Sequence, residues 1–329
     1  MEVLEEAELC FPQLLNSSCK KPKRPHVQLV VTYVVLSFIT VLTTTLNLLV
    51  IISISHFKQL HTPTNLLLLS LAVSDFFVGI FTCFQMLLID GCWYLGDVMC
   101  TLYQYLAYIV TSASIGTMVM ISVDRYMAIC DPLRYQTKVT QRKVQLSVSV
   151  CWIFSVVLQT LLLWGNLVHP GRFTSCSGEC VVAIDYIAGL ADILLSFIGP
   201  VAVIVLLYLR VFVVAASQAR AMRSHIASVT VRGSVTVMVK KSEMKAARTL
   251  GVVVVVFLIC LCPYFCVTLT GQDALLNPSS VAFVTCLFYF NSCLNPIIYA
   301  FFYPWFRKCL RFIVTLQILQ PDSSEANVL

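Results

Sequence analysis

Seven apolar stretches, each long enough to cross a lipid bilayer, constrain the fold of this chain more than any other feature of its sequence. A helix needs about 20 residues to cross the hydrocarbon core. Lipid offers the backbone no hydrogen-bond partner, so stretches of this length favour helices over barrel strands of about 10 residues. The sequence therefore predicts an all-α membrane protein, a bundle of seven transmembrane helices. The predicted spans lie at about 27–54, 65–89, 100–124, 144–166, 186–214, 247–270 and 279–303.

Composition indicates the same class. The 329 residues are 59% hydrophobic and only 12% charged, whereas soluble domains are about 45–50% apolar and about 25% charged. The acidic segment EVLEEAE near the start is not followed by the apolar core of a cleavable signal peptide. We expect an extracellular tail at 1–26, a transmembrane domain at 27–303, and a short amphipathic eighth helix with a cytoplasmic tail at 304–329.

Basic residues predict the orientation. With the N-terminus outside, only five of the 22 lysine and arginine residues are extracellular, and the rest flank the cytoplasmic ends. A basic inner face suits anionic lipid and acidic protein partners, so the net charge of +6 does not call for nucleic acid. The same orientation places Asn16, in the sequence NSS, where it can accept an N-linked glycan.

Cysteines on the predicted outer side are disulfide candidates, since that compartment is oxidising. Their pairing is not determined by sequence alone. A further cysteine, Cys309, follows the seventh span, where a palmitoyl chain would anchor the amphipathic helix and where a plain free thiol is the alternative. The six outer cysteines are Cys10, Cys19, Cys92, Cys100, Cys176 and Cys180.

The sequence contains no signature of an enzyme. It has no glycine-rich phosphate loop, no HExxH metal motif and no nucleophile elbow. What it does contain is polar residues inside the spans, and these are functional candidates because they are costly at membrane depth.

Several of these residues, in their order along the spans, make the chain resemble the rhodopsin-like (class A) G-protein-coupled receptors over residues 27–315. They are Asn47, Asp75, Cys100, the triplet Asp124, Arg125 and Tyr126, Trp152, Pro200, Pro263, and the segment NPIIY that contains Asn295, Pro296 and Tyr299. Within that class, the segments HFKQLHTPTN (56–65), CWYLGD (92–97), KAARTLG (245–251) and YAFFYPWFRK (299–308) resemble the trace amine-associated receptors.

The resemblance implies a multi-pass plasma-membrane receptor that binds a small cationic amine and activates a stimulatory G protein of the olfactory type, which raises cAMP. It also implies the disulfides Cys100–Cys180 and Cys19–Cys176. Receptors of this kind usually hold the ammonium with an aspartate seven residues after the cysteine that opens the third span, but Ala107 occupies that position. A fish-enriched group resembles this chain in carrying the carboxylate in the fifth span instead, at the position of Asp192.

The chemistry of Asp192 supports the same role independently. An ionised carboxylate at membrane depth costs about 2.5–3.5 kcal/mol, and no lysine or arginine lies in the outer half of a predicted span. A cationic ligand is the natural partner, because an ammonium gains charge-assisted hydrogen bonds there. The alternative is a protonated acid bonded to Ser196, one turn below.

Further residues are candidates for the pocket. Asp185, two turns before Asp192, would let the pocket take a diamine, and its alternative is an ordinary solvated charge at the helix mouth. Aromatic walls suit an amine through apolar burial and cation–π attraction. The expected wall residues are Tyr108, Thr111, Tyr264, Phe265 and Tyr289.

Below the pocket, the resemblance implies an allosteric sodium ion, for which an ion-free polar network is the alternative. It also implies a packing triplet that rearranges as the sixth span moves, although Leu261 replaces the usual tryptophan. The sodium ligands would be Asp75, Ser114, Asn291 and Asn295, and the triplet Pro200, Ile115 and Phe257.

At the cytoplasmic end, Arg125 is expected to pair with Asp124 and Glu243, and to face the G protein with Tyr208 and Tyr299 once released.

Two other functions remain open at this point. One is a class A receptor for a non-amine odorant in which Asp192 is structural. The other is a transporter, which is disfavoured because the spans show no repeated broken helices.

Overall fold

The computed structural model describes residues 8–22, 25–226, 251–267 and 278–328. These residues form seven long helices and a shorter eighth one, which confirms the predicted all-α membrane bundle. Six of the long helices are long and apolar enough to cross a bilayer, and the described part of the remaining one, α6, is shorter. The helices are α1 (His26–His56), α2 (Pro63–Asp90), α3 (Gly96–Cys130), α4 (Gln141–Leu162), α5 (Tyr186–Ile193, Leu194–Ile198 and Gly199–Ile226 in succession), α6 (Gly251–Val267), α7 (Pro278–Phe302) and α8 (Pro304–Val314).

Local sequence explains where α2 begins and ends. The Thr62 hydroxyl accepts a hydrogen bond from the Asn65 amide at 3.3 Å, and Pro63 occupies the first turn, where its missing N–H costs nothing. Gly91 ends the helix with a φ of 84°, a left-handed conformation that glycine adopts without strain. The loop that follows leads directly into α3.

The outer surface of the bundle is apolar. On α1, for example, Val31, Val34, Phe38 and Val41 are exposed, which is expected of side chains that face lipid. Interior contacts concentrate in the cytoplasmic half, where residues such as Ile54, Met118 and Tyr299 are almost fully buried in one continuous cluster.

An irregular turn interrupts α5. Residues Leu194–Ile198 form a π-helical turn immediately before Gly199 and Pro200. Proline at position 200 has no N–H to donate to the Ser196 carbonyl, and a wider turn accommodates the missing bond. The irregular turn begins two residues after Asp192, so the turn determines which α5 residues near Asp192 face the bundle interior.

Three disulfides brace the extracellular end, and two of them hold the N-terminal tail over it. Cys100–Cys180 and Cys19–Cys176 are the pairs that the resemblance implies, and the structure adds Cys10–Cys92 between the tail and the α2–α3 loop. Isolated β-bridges join Leu9 to Lys20 and Ser18 to Ser177. Asn16 lies exposed in this tail, accessible to a glycan.

The packing of helix α8 bears on the two alternatives for Cys309, a palmitoyl anchor and a plain free thiol. The helix is amphipathic and packs on the cytoplasmic end of α1, burying Trp305, Phe306 and Cys309 on its inner face. The Cys309 side chain is fully buried, and this burial raises the pKa of its thiol to about 11. A buried, protonated thiol is a poor nucleophile, so this geometry favours the free-thiol alternative.

Candidate functional site

A cavity of about 340 Å³ opens between α2, α3, α4, α5, α6 and α7. It lies in the half of the bundle nearest the extracellular disulfides, at the level where α5 carries its irregular turn. The predicted site residues that line it are Asp192, Ser196, Tyr108, Thr111, Tyr264, Phe265 and Tyr289.

Asp192 accepts two hydrogen bonds, and both fall on the same oxygen. The Ser196 hydroxyl donates to Oδ1 at 2.7 Å, and the Gln159 amide donates to it at 3.1 Å. Among the described residues, none donates to Oδ2. Of the side chains described along the cavity, only that of Asp192 is a carboxylate or a basic group.

Gln159 of α4 is a site residue that the sequence analysis missed. Its side chain is buried, and its Oε1 atom has no hydrogen-bond partner in the part of the chain that the structure describes. The amide orientation is dictated by Asp192, because a carbonyl oxygen turned toward the carboxylate would be repelled. Gln159 therefore presents an unused acceptor beside Asp192, and a buried acceptor without a partner is costly.

A second polar group lies across the cavity. Gln85 of α2 accepts hydrogen bonds at Oε1 from the hydroxyls of Tyr103, at 3.0 Å, and Tyr289, at 3.2 Å. This arrangement joins α2, α3 and α7. Of these three residues, only Tyr289 was predicted from the sequence. Gln85 was not, because an uncharged glutamine within an apolar span gives no comparable signal.

Aromatic rings form the α6 and α7 walls. Phe265 stacks on Phe197 of α5 with the ring centroids 3.9 Å apart, and Tyr264 packs against Phe288 with the centroids 4.6 Å apart. Such ring pairs contribute about 0.5–1.5 kcal/mol beyond their burial. The same side chains that line the cavity therefore also hold α5, α6 and α7 together.

Asp185 is not brought to the cavity. Its side chain is exposed and caps the start of α5, where Oδ2 accepts the amide hydrogen of Ile187 at 3.1 Å. Asp185 is thus a solvent-exposed charge at the helix mouth, the alternative to a pocket residue, and it also caps the helix. No second carboxylate lines the described cavity.

Two of the predicted sodium residues, Ser114 and Asn291, line a smaller void of about 20 Å³ below the cavity. Asn295 donates to Oδ2 of Asp75 at 2.8 Å, while Oδ1 of Asp75 and the side-chain carbonyl oxygens of Asn291 and Asn295 are buried without a partner in the described structure. Asp75 and Asn295 are bonded to each other and are not among the residues that line the void. Unpartnered oxygens beside a carboxylate fit a small hard cation.

The predicted packing triplet adjoins this region. Ile115 and Phe257 are almost fully buried in the interior cluster, and Pro200 follows the irregular turn of α5. Leu261 is buried too and lines the small void together with Ile115. Leucine thus fills less of the space between the upper cavity and the polar region than a tryptophan would.

At the cytoplasmic end, Arg125 is held in a closed network. Its Nε donates to Asp124 at 3.0 Å, and its second guanidinium nitrogen contacts Asp124 and the Thr64 hydroxyl. Tyr135, in the short helix Pro132–Lys138, donates to the other oxygen of Asp124 at 2.8 Å. Thr64 and Tyr135 were not foreseen, since neither carries the charge that marked the other residues.

The remaining predicted switch residues are placed as follows. The hydroxyls of Tyr208 and Tyr299 are buried without a hydrogen-bond partner in the described parts of the chain. Tyr126 packs near Ile129 and Val211, between α3 and α5. Pro296 lies inside α7, and Glu243 lies outside the described residues.

Comparison with known proteins agrees with the seven-helix fold. Residues 46–299 match the family described as 7 transmembrane receptor (rhodopsin family). The chain is 38% identical to trace amine-associated receptor 13c of Danio rerio, over 98% of this chain and 97% of that one. It is 38% identical to trace amine-associated receptor 1 of Mus musculus, over 90% and 92%, and 37% identical to trace amine-associated receptor 4 of Mus musculus, over 98% and 96%.

These relatives are receptors and not enzymes, and a bundle of this kind is a multi-pass protein of the plasma membrane. With a family match over most of the chain and relatives aligned nearly end to end, the chain belongs to the trace amine-associated receptors of the rhodopsin family.

Proposed function

We propose that this protein is an amine-sensing G-protein-coupled receptor in which Asp192 holds the ligand's ammonium group. The observation that carries the proposal is the pair formed by Asp192 and Gln159. Among the described residues, one oxygen of the Asp192 carboxylate receives no hydrogen bond, and the buried Gln159 carbonyl beside it has no partner. Both residues line the cavity, and because Oε1 of Gln159 is covered in this arrangement, its contact with a ligand requires the side chain to turn toward the cavity. Membership of the group that lacks the third-span aspartate remains a prediction, supported by Ala107 in the cavity wall.

A protonated primary amine satisfies both acceptors at once. It carries three N–H donors, of which one meets Oδ2 of Asp192 and another meets Oε1 of Gln159. Charge-assisted hydrogen bonds of this kind are roughly twice as strong as neutral ones. The aromatic walls, including Tyr264 and Phe265, then bury the ligand's apolar part and attract the cation through their faces.

Activation follows by population shift. The Arg125 network closes the cytoplasmic end of α3, and a ligand that binds the open arrangement more tightly shifts the population toward it. Released Arg125, with Tyr208 and Tyr299, would meet the G protein. A stimulatory G protein of the olfactory type, and cAMP as the messenger, are proposed from the family resemblance.

Asp75, Ser114, Asn291 and Asn295 would hold an allosteric sodium ion, which would supply positive charge at the buried carboxylate. The unpartnered oxygens described above support this assignment. Asp75 and Asn295 join α2 to α7 between the ligand cavity and the Arg125 network, so a change in their packing is suited to pass ligand binding downward.

One observation favours a second candidate, a receptor for a non-amine odorant. The Ser196 hydroxyl is bonded to Asp192, as a structural role for the acid requires. In that case the Asp192 carboxyl group would serve to hydrogen-bond α4 to α5. Its removal would then change the stability of the receptor rather than which ligands the receptor prefers.

The proposal is tested with the full chain in cells, by measuring cAMP against a panel of primary, dimethylated and trimethylated alkylamines. Asp192→Asn is expected to abolish the response to every amine at unchanged surface level. Asp185→Asn is the matched control, because it removes an acid from the same helix but retains the capping side chain.

Amine responses that survive Asp192→Asn at unchanged potency would overturn the assignment. Uptake of radiolabelled amine in the same cells separates the transporter alternative, since a transporter accumulates label without any second messenger.

A further inference from the structure

The end of the cavity opposite Asp192 is polar but uncharged. Gln85, Tyr103 and Tyr289 meet there, and both hydroxyls donate to the Gln85 carbonyl oxygen. The side chains of all three residues line the cavity. Nothing in the proposed ammonium site explains why three polar groups gather on α2, α3 and α7.

The hydrogen bonds of this cluster leave the side-chain N–H donors of Gln85 without a partner among the described residues. Because Oε1 of Gln85 accepts from two hydroxyls, the amide is oriented with its Nε2 group away from them. No interaction within the described residues engages Nε2, so its two N–H groups remain for a molecule in the cavity. Uncharged donors at this end suit an oxygen acceptor on the ligand.

The position of α3 sets the ligand's length. Helix α3 packs against α2, which carries Gln85, and against α5, which carries Asp192. Because α3 lies between α2 and α5, a ligand that reaches both groups spans at least on the order of the 8–10 Å that separates two neighbouring helix axes. The aromatic wall of Tyr264 and Phe288 lies along the cavity, and it suits an apolar linker between the two polar ends.

We propose that Gln85, with Tyr103 and Tyr289, forms a second subsite that binds a neutral oxygen acceptor of the ligand. The preferred ligands are then bifunctional, with a single ammonium at Asp192 and a hydroxyl or ether oxygen at the far end. This inference rests on the proposed function and extends it, because it also says that linear diamines are poor ligands: no second carboxylate lines the described cavity.

Three amines of nearly equal length test the subsite on cells that express the full receptor: 6-aminohexan-1-ol, heptylamine and hexane-1,6-diamine. The amino alcohol should be the most potent. Gln85→Leu should reduce the potency ratio of amino alcohol to heptylamine by about 3- to 10-fold, the worth of one neutral hydrogen bond. Comparing the ratio between receptors cancels effects common to both ligands.

Gln85→Glu keeps an acceptor for both tyrosine hydroxyls and adds a negative charge, so it should raise the potency of the diamine relative to the amino alcohol at least about tenfold. Cys83→Ser, on the exposed side of the same helix, is the control for expression and should change neither ratio.

Unchanged ratios in both Gln85 variants would overturn this subsite while leaving the ammonium site intact, provided that Asp192→Asn still abolishes all three responses. If Asp192→Asn leaves the responses unaltered, it is the proposed function that fails. The two failures are therefore distinguished within one set of measurements.

Discussion

Gln159 offers a specific prediction because its buried Oε1, beside Asp192, has no hydrogen-bond partner among the described residues. In Gln159→Met, the side chain keeps its approximate length but loses the acceptor. A hydrogen bond to a charged group contributes about 1.5–3 kcal/mol, and 1.4 kcal/mol corresponds to about tenfold in affinity. We therefore expect a primary alkylamine to lose about 10- to 100-fold in potency.

The matched ligand is the trimethylammonium analogue of the same amine. It has no N–H to donate to Gln159. Since the lost bond between Gln159 and Asp192 affects both ligands alike, the potency of the primary amine relative to this analogue should fall by about 10- to 100-fold. The assay is a dose–response series for cAMP, corrected for surface level. Gln145→Met, on an exposed part of the same helix, is the control variant. An equal loss for both ligands would refute the idea that Gln159 accepts from the ammonium.

Two further predictions concern the cytoplasmic end. Tyr135→Phe deletes the 2.8 Å hydrogen bond to Asp124, which helps to hold Arg125, so ligand-independent cAMP should rise by about tenfold. Tyr186→Phe changes an exposed tyrosine and should have no effect. An unchanged basal cAMP level in Tyr135→Phe would contradict the proposed closed network. Cys309 should resist maleimide in the folded receptor at neutral pH and react only as the pH approaches its raised pKa of about 11, because the thiolate is the reactive form. Labelling is read by mass spectrometry, and rapid labelling in membranes at neutral pH would show that the thiol is accessible.

The bundle could be predicted from sequence because the membrane imposes a simple rule. Apolar runs of sufficient length must become helices, and the seven predicted spans match the helices of the described residues, apart from the flanks of α6. The ends were also readable, as at α2, where proline and glycine mark the boundaries.

The candidate site was predictable only where a residue is conspicuous in an apolar span. Asp192 stands out as a charge at membrane depth, but Gln159 and Gln85 are neutral, and their importance depends on which helices meet. Asp185 shows the opposite limit: helical spacing alone placed it above Asp192, whereas the helix begins beside it and turns its carboxylate to a capping role.

The extracellular cap shows a similar limit. Six outer cysteines were visible, yet the Cys10–Cys92 pair depends on how the tail folds back over the α2–α3 loop, and no local sequence signal encodes that path.

The most direct test of the ammonium site is equilibrium binding of a labelled primary amine to purified receptor in lipid nanodiscs, compared between wild type, Asp192→Asn and Asp185→Asn. The account predicts that Asp192→Asn weakens binding by about 100-fold or more, as expected when a buried charge pair loses one partner, while Asp185→Asn binds as wild type does. Equal affinity in wild type and Asp192→Asn would contradict the account.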